Sequence, residues 1–286
     1  MASSPQAAVA SRGWALGAHL EFARIGFANI LAFRLRYYTG VLTYVFNVTV
    51  YYFIWRAVYA PAAAGIASNS GVLAGFNLPQ MLTYVSVGWI MRSFYWNTID
   101  QEMAYEVLEG KIAMELIKPV SVQWMWIFRA AGESLFRLLL LTAPTALVIA
   151  LIFPVRPPAS RWQIAPFLLA VLASFLLMAA INFLIGTCAI PLKSILSLIR
   201  AKFWLIELLS GLLIPISFFP HWAQTVSHCL PFERIAYVPL QLYLGKITGW
   251  AAWRAVGVAW LWVFALLALG HLWWQRSLRK ITIHGG

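Results

Sequence analysis

Charge is scarce in this sequence. Lys, Arg, Asp and Glu make up 10% of its 286 residues, and 62% of the residues are hydrophobic. Globular domains carry roughly 25% charged residues, so a chain with a mean hydropathy of +0.77 has too little polar surface for a fold in water. We predict an integral membrane protein of the all-α class. The net charge of +12 then belongs to loops that face anionic lipid headgroups, and a nucleic-acid partner is excluded.

Cysteine is also scarce. The two cysteines, Cys188 and Cys229, lie on segments that we predict to be separated by a membrane, so a disulfide framework is not expected. His221, His228 and Cys229 lie about two helical turns apart, and interfacial polar residues explain them better than a metal site does. We expect neither a metal nor a cofactor in this chain.

Catalytic signatures are missing as well. The sequence has no H-E-x-x-H and no G-x-S-x-G, and no pair of carboxylates lies at the depth of a predicted span. The nearest approach to a phosphate-binding G-x-x-x-x-G-K-[ST] loop, residues 245–248, has one glycine and the wrong spacing. The sequence therefore predicts a protein that is not an enzyme and does not bind ATP through such a loop.

Long apolar stretches predict six transmembrane helices, since a bilayer core needs about 20 apolar residues. Their predicted bounds are residues 37–59, 78–97, 121–153, 162–190, 204–219 and 250–274. Residues 14–36, ahead of the first span, are apolar but interrupted by Arg and Glu, which predicts a helix lying in the membrane interface. A frayed extension of the first span is the alternative.

A few polar residues lie inside the predicted spans. Arg92 and Glu207 are the ionisable residues away from the span ends, and Asn182 lies in an otherwise apolar helix. Charge at membrane depth is costly and usually functional, so these three are candidates for a transport pathway. The alternative is that they are paired structural residues or lie close to the membrane surface.

The third predicted span is longer than a bilayer needs, so its first turns must lie outside the core. Arg129, Glu133 and Arg137 recur there at every fourth residue. This spacing places the three charges on one helix face, where they can neutralise one another at the membrane boundary.

The most charged segment is residues 100–119, between the second and third predicted spans, which we call the elbow. It holds five of the nine acidic residues. Capping residues and helical apolar spacing predict a short helix over residues 100–109, and Gly110 suits the left-handed conformation just after it. A second apolar turn then ends before Pro119.

The elbow has an apolar stripe surrounded by acidic residues. An apolar centre with a polar rim is typical of a docking surface, so a soluble partner is the simplest candidate; an ordinary solvated loop is the alternative. The residues that we expect to make this contact are Glu102, Met103, Glu106, Val107, Leu108, Glu109, Gly110 and Ile112.

Residues 220–249 are semi-apolar and interrupted by Pro231 and Pro239. Proline removes a helical hydrogen bond, so this stretch is too broken for a spanning helix. We predict a re-entrant or interfacial hairpin between the fifth and sixth spans, because broken backbone at membrane depth is tolerated only against protein or water.

Six spans place both ends of the chain on one side of the membrane. Most of the 21 lysines and arginines fall in the terminal segments, in the elbow with the start of the helix after it, and in a basic loop at residues 191–203. Basic residues accumulate on the cytoplasmic side. We therefore expect the termini and the elbow in the cytoplasm and the hairpin outside.

The order of these features resembles the type-two ATP-binding-cassette (ABC) exporter permeases. An interfacial helix precedes the first span, a helical elbow separates spans two and three, and a broken hairpin separates spans five and six. Residues 109–119 and 219–246 also resemble a bacterial subgroup of these permeases whose function is unassigned. The resemblance extends from Arg24 to Arg279 and depends on order and spacing.

The resemblance implies the permease subunit of an ATP-driven exporter in the bacterial inner (plasma) membrane. Such a subunit pairs with a second permease chain, identical or different, and with two copies of a cytoplasmic ATPase that bind the ATP. The elbow would be the coupling helix that docks into the ATPase. With aromatic residues at 15%, the expected cargo is an amphiphilic or drug-like small molecule.

A proton-coupled secondary transporter that uses Glu207 and Arg92 is the alternative. Such transporters commonly contain inverted repeats, and none is detectable here. A purely structural or receptor subunit is a third possibility, which the lack of a sizeable predicted soluble domain disfavours.

Overall fold

A computed structural model of the chain describes residues 17–28, 35–63, 71–192 and 194–279. Most of these residues are helical. The described part contains one small antiparallel hairpin, in which β1 (Val72–Leu73) pairs with β2 (Phe76–Asn77). The predicted all-α class is confirmed.

Thirteen helices are described, numbered here in chain order. They are α1 (17–28), α2 (Leu35–Ala63), α3 (Leu78–Tyr95), α4 (Ile99–Leu108), α5 (Ile112–Leu116), α6 (Val122–Arg137), α7 (Ala143–Ile152), α8 (Ile164–Thr187), α9 (Ala189–Leu192), α10 (Leu196–Leu209), α11 (His221–His228), α12 (Tyr237–Tyr243) and α13 (Gly249–Leu278). One π-helical turn, Leu138–Thr142, joins α6 to α7 just before Pro144, a residue that cannot continue a regular helical hydrogen-bond pattern.

Four helical stretches of the described chain are long and apolar enough to cross a membrane. They are Thr39–Ala60, Val122–Ile152, Arg161–Leu192 and Gly249–Leu278. Each overlaps a predicted span: the first, third, fourth and sixth. Membrane-spanning helices are therefore present, while the full count of six remains a prediction that depends on α3 and α10.

Helix α3 occupies the position of the second predicted span. It begins at a capping box in which the Asn77 side chain accepts a hydrogen bond from the backbone N–H of Gln80 at 3.0 Å. Most of its residues are buried against other helices, and it carries Arg92 near its end.

The predicted bounds of the fifth span, residues 204–219, are wrong. Helix α10 begins at Leu196, inside the stretch that we predicted to be a basic loop, and ends at Leu209. Gly211, with φ +76°, then turns the chain through a conformation that other residues adopt only with strain. Its position is tight, because a Cβ there would lie 2.9 Å from the Cβ of Tyr237.

Helix α8 is the centre of the structure. It is the most buried of the four long apolar stretches and packs against α13, α4, α12 and α3. Small residues allow these close approaches. A Cβ added at Gly186 would lie 2.8 Å from the Met103 Sδ and 3.2 Å from the Asp100 Cα. Only glycine lets α4, the helix of the elbow, lie this close to α8.

The predicted interfacial helix over residues 14–36 falls partly outside the described residues. Its described part, α1, crosses α6 with backbone in contact with backbone: a Cβ added at Gly26 would lie 2.3 Å from the carbonyl oxygen of Arg129. A Cβ at Gly132 would similarly lie 1.8 Å from the carbonyl oxygen of Ala23. Two glycines therefore hold α1 against the helix that follows the elbow.

Residues 220–249 contain the short helices α11 and α12 with a 3₁₀ turn, Phe232–Arg234, between them. None of these segments is long enough to span a membrane. The position of this hairpin outside the cell remains a prediction.

Candidate functional site

The elbow consists of α4, a turn at Gly110, and α5. Gly110 has φ +72°, the left-handed conformation expected from the sequence, and α4 ends one residue before Glu109. A Cβ at Gly110 would meet nothing within 4 Å, so the backbone conformation, and not crowding, is what favours glycine there. The residues at this turn, Glu109, Gly110 and Lys111, are exposed and form the corner of the elbow.

The apolar stripe predicted to dock a partner faces largely inward. Met103 is fully buried against Gly186, Ile112 is buried, and Val107 is half-buried. Met103 and Ile112 therefore lie in the interior of this chain, and their contact with a separate protein stays a prediction.

The exposed face of the elbow is also apolar. Its large side chains there, with their exposed fractions, are Tyr105 (63%), Leu108 (65%), Met114 (66%), Leu116 (38%) and Ile117 (77%). Of the residues that we expected to make the contact, Leu108, Glu109 and Gly110 lie on this face. Clustered exposed apolar side chains outside a bilayer mark an interaction surface.

Two acidic residues of α4 turn towards α6 and not towards solvent. Arg129 places Nη2 3.4 Å from Glu102 Oε2 and Nη1 3.7 Å from Glu106 Oε1. Burial, and then the nearby Glu115 carboxylate, raise the pKa of Glu106, while Arg129 opposes that rise. These acids therefore link α4 to α6 through Arg129, and their place on the rim of a docking surface stays a prediction.

The predicted charge ladder of α6 is only half formed. Glu133 and Arg137 pair at 3.5 Å, but Arg129 pairs with the acids of α4 instead of with Glu133.

On the exposed corner of the elbow, Glu109 pairs with Lys111. Hydrogen bonds from Lys111 and then from Tyr105 lower the pKa of Glu109.

A buried polar network joins the elbow to the membrane helices. Lys202 of α10 donates to Asp100 Oδ2 at 2.5 Å and to Asn182 Oδ1 at 2.6 Å. Asn182 of α8 in turn donates to the carbonyl oxygen of Asn97 at 2.8 Å and to its Oδ1 at 2.9 Å. Asp100 and Lys202 have side-chain exposures of 0% and 6%. Three helices, α4, α8 and α10, are thus tied together by one set of charges and amides.

Sequence reasoning identified Asn182 but missed its partners Lys202 and Asn97, and it missed Asp100 as the partner of Lys202. The available signal was Asn182 itself, since a buried amide in an apolar helix needs hydrogen-bond partners. Lys202 was hidden because its segment was predicted to be a loop.

Arg92 and Glu207, the two candidate intramembrane ionisable residues, pair with each other. Their side chains are 12% and 5% exposed. The Arg92 guanidinium also lies over the ring of Trp96, 4.3 Å from its centroid, and over Trp89 at 5.3 Å. Helix α10 is therefore anchored twice, to α4 through Lys202 and to α3 through Glu207.

An open groove of about 520 Å³ lies between α4 and α10. Its walls are Gln101, Ala104, Tyr105 and Leu108 on α4, and Leu196, Ile199, Arg200, Phe203 and Trp204 on α10. Tyr105 and Leu108 belong both to this groove and to the exposed face of the elbow. A protein that covered them would therefore contact α10 as well.

Comparison with known families gives one match. Residues 45–285 match a family model described as "ABC-2 family transporter protein". The matched region includes α3 to α13 and therefore the whole elbow, the buried network and the groove. No curated protein matches this chain.

Proposed function

We propose that this chain is the membrane-spanning permease subunit of an ATP-driven exporter. The premise is that the chain belongs to the ABC-2 transporter family. Permeases of this family are membrane transport subunits and not catalytic enzymes, and they associate with an ATPase subunit. The elbow is the part of this chain that docks on the ATPase, and the partner binds and hydrolyses the ATP.

The exposed apolar face of the elbow is the observation that carries this proposal. Tyr105 and Leu108 are each more than 60% exposed, although the rest of α4 is packed against α6, α8 and α10. An apolar cluster that lies outside the long apolar stretches needs a protein to cover it. The groove beside it extends that surface onto α10.

The buried network suggests how the ATPase drives the membrane helices. Asp100 lies in the first turn of α4, and Lys202 binds it from α10. A movement imposed on α4 is transmitted to α8 and α10 through these contacts, because breaking a buried charge pair is costly. We propose that this linkage converts closure of the ATPase subunits into alternating access of the permease.

A second permease chain, identical or different, completes the transporter in this proposal. Helices α2 and α13 expose many large apolar side chains, so lipid and another permease have ample surface to cover. The cargo is an amphiphilic or drug-like small molecule that is exported between the two chains. The location is a bacterial inner membrane.

The pairing of Glu207 with Arg92 makes a proton-coupled transporter the weaker alternative. A proton carrier needs a carboxyl group that can gain and lose a proton at membrane depth. Glu207 is instead joined to Arg92 in an ion pair between α10 and α3, which favours a structural role for both residues.

The direct test of the proposal is the energy source of transport. In inside-out vesicles that contain both permeases and the ATPase, export carries the cargo into the lumen. Uptake of a fluorescent amphiphilic dye is therefore expected to require ATP and to persist when the proton gradient is collapsed. A variant ATPase that cannot hydrolyse ATP is the control. Dye uptake that stops on collapse of the gradient and does not depend on ATP would establish the proton-coupled mechanism instead.

The proposed topology has its own test. Reporters inserted at Gly110 and fused after Arg279 are expected to lie in the cytoplasm, whereas a reporter inserted at Gly71 is expected to lie outside. Gly110 and Gly71 tolerate insertion because a Cβ at either position meets nothing within 4 Å. A reporter at Gly110 outside and one at Gly71 inside would show that the orientation is reversed. Equal locations of the reporters at Gly110 and Gly71 would overturn the six-span topology.

A further inference from the structure

We propose that a groove along the first half of α13 binds a phospholipid with a net negative headgroup. The phosphate lies at Arg254 and Arg234, and an acyl chain follows the helix towards the middle of the membrane. This site is at the opposite end of α13 from Arg276 and is separate from the elbow.

The groove has the length of one leaflet. Its volume is about 610 Å³, and one face of α13 forms its wall with Ala251, Ala255, Val258 and Leu261. At 1.5 Å per residue, the ten-residue rise from Ala251 to Leu261 is roughly 15 Å, about half of the roughly 30 Å hydrocarbon core. An apolar wall of this length, formed partly by alanines, fits one acyl chain.

Two arginines lie at the groove, and none of its lining residues is acidic. Among the described residues, Arg254 has no ion-pair partner and its side chain is exposed. Arg234 donates from Nη2 to Glu233 Oε1 at 2.8 Å, while its buried Nε has no hydrogen-bond partner. Guanidinium groups bind phosphate oxygens through strong, charge-assisted hydrogen bonds.

Two exposed tryptophans lead us to place Arg254 at headgroup depth. Trp250 and Trp253, next to Arg254, are 77% and 47% exposed, and tryptophan is enriched where the hydrocarbon meets the headgroups. The apolar wall continues from that depth into the spanning part of α13. This combination of a cationic end and an apolar length selects a lipid over a soluble anion, because only a lipid satisfies both.

Gly257 gives a way to fill the groove without disturbing the fold. It lines the groove, and a Cβ added there would meet nothing within 4 Å. Gly257→Leu therefore places an apolar side chain where the acyl chain is proposed to lie. Arg254→Gln removes the unpaired cation from the headgroup end.

The experiment is native mass spectrometry of the purified full chain, titrated with phosphatidylglycerol or with phosphatidylcholine of the same acyl chains. Phosphatidylglycerol is expected to bind more tightly. Arg254→Gln and Gly257→Leu are each expected to weaken that binding about tenfold. Arg161→Gln is the matched control, because Arg161 is an exposed cation outside the groove lining. It is nevertheless close to the groove: it begins a 3₁₀ turn whose last residue, Gln163, donates to the backbone carbonyl of Ile247.

Equal binding of the two lipids, or unchanged phosphatidylglycerol binding in Arg254→Gln, would overturn the proposal. Displacement of the lipid by inorganic phosphate alone would also overturn it, because a free anion would then be the ligand. Binding lost equally in Arg161→Gln would show a diffuse effect of charge. Since no arm measures transport, these outcomes are independent of the exporter function proposed above.

Discussion

Replacing Lys202 with methionine is expected to destabilise the protein by about 3–5 kcal/mol, because Asp100 would keep a buried charge without a partner. Asp100 is 0% exposed and Lys202 is its only ion-pair partner among the described residues. Asn182 would lose a hydrogen bond at the same time. The measurement is thermal unfolding of the purified protein in detergent, together with ATP-driven efflux.

Arg200→Met is the matched control for stability. Arg200 is an exposed cation two residues earlier on α10, so its removal is expected to change stability by no more than about 0.5 kcal/mol. An unfolding temperature of Lys202→Met equal to that of Arg200→Met would contradict the buried charge pair.

The double variant Asp100→Asn, Lys202→Met separates stability from transmission. It leaves no unpaired charge, so most of the lost stability is expected to return. If the network transmits movement from the elbow to α10, ATP-driven efflux stays low although the protein is stable. Recovery of both stability and efflux would show that the pair is only structural.

Truncating the exposed face of the elbow is expected to uncouple transport and leave the permease folded. In Tyr105→Ala, Leu108→Ala, each side chain is more than 60% exposed, so little packing is lost. Centrally placed interface residues cost about 2 kcal/mol or more each on truncation, so copurification of the ATPase and ATP-driven efflux should both fall by at least about tenfold.

The matched control is Leu147→Ala, Leu151→Ala. These residues of α7 are 62% and 77% exposed, but they lie in a stretch that is long and apolar enough to cross a membrane. Copurification of the ATPase is expected to be unchanged. Met103→Ala is a contrasting variant of the same helix. The Met103 side chain is fully buried, so its truncation should lower the stability of the permease. An elbow variant that retains normal copurification of the ATPase would place the docking surface elsewhere on the chain.

The class of the protein follows from the sequence because the solvent imposes it. A bilayer requires long apolar helices with internally satisfied backbone groups, and four such helices were visible in the pattern of hydropathy. The turn at Gly110 and the breaks around residues 220–249 were also predictable, because left-handed glycine and proline act locally. Such features depend on neighbours in sequence.

The bounds of α10 were not predictable from hydropathy. A window of apolar residues does not distinguish the helix Leu196–Leu209 from the turns after it, which depend on the packing of Gly211 against Tyr237. Placing that helix correctly is also what brings Lys202 to Asp100. The error in secondary structure therefore concealed the buried network.

The sequence by itself determined that this is an all-helical membrane protein with a charged, bent elbow. Only the tertiary structure decided which side of the elbow is free: Met103 is covered by α8, and Leu108 is not. It also decided that Arg129 pairs with the acids of α4 and not with Glu133. The reason is physical, since helical spacing places residues on a common face, whereas the partner of that face comes from a helix distant in sequence.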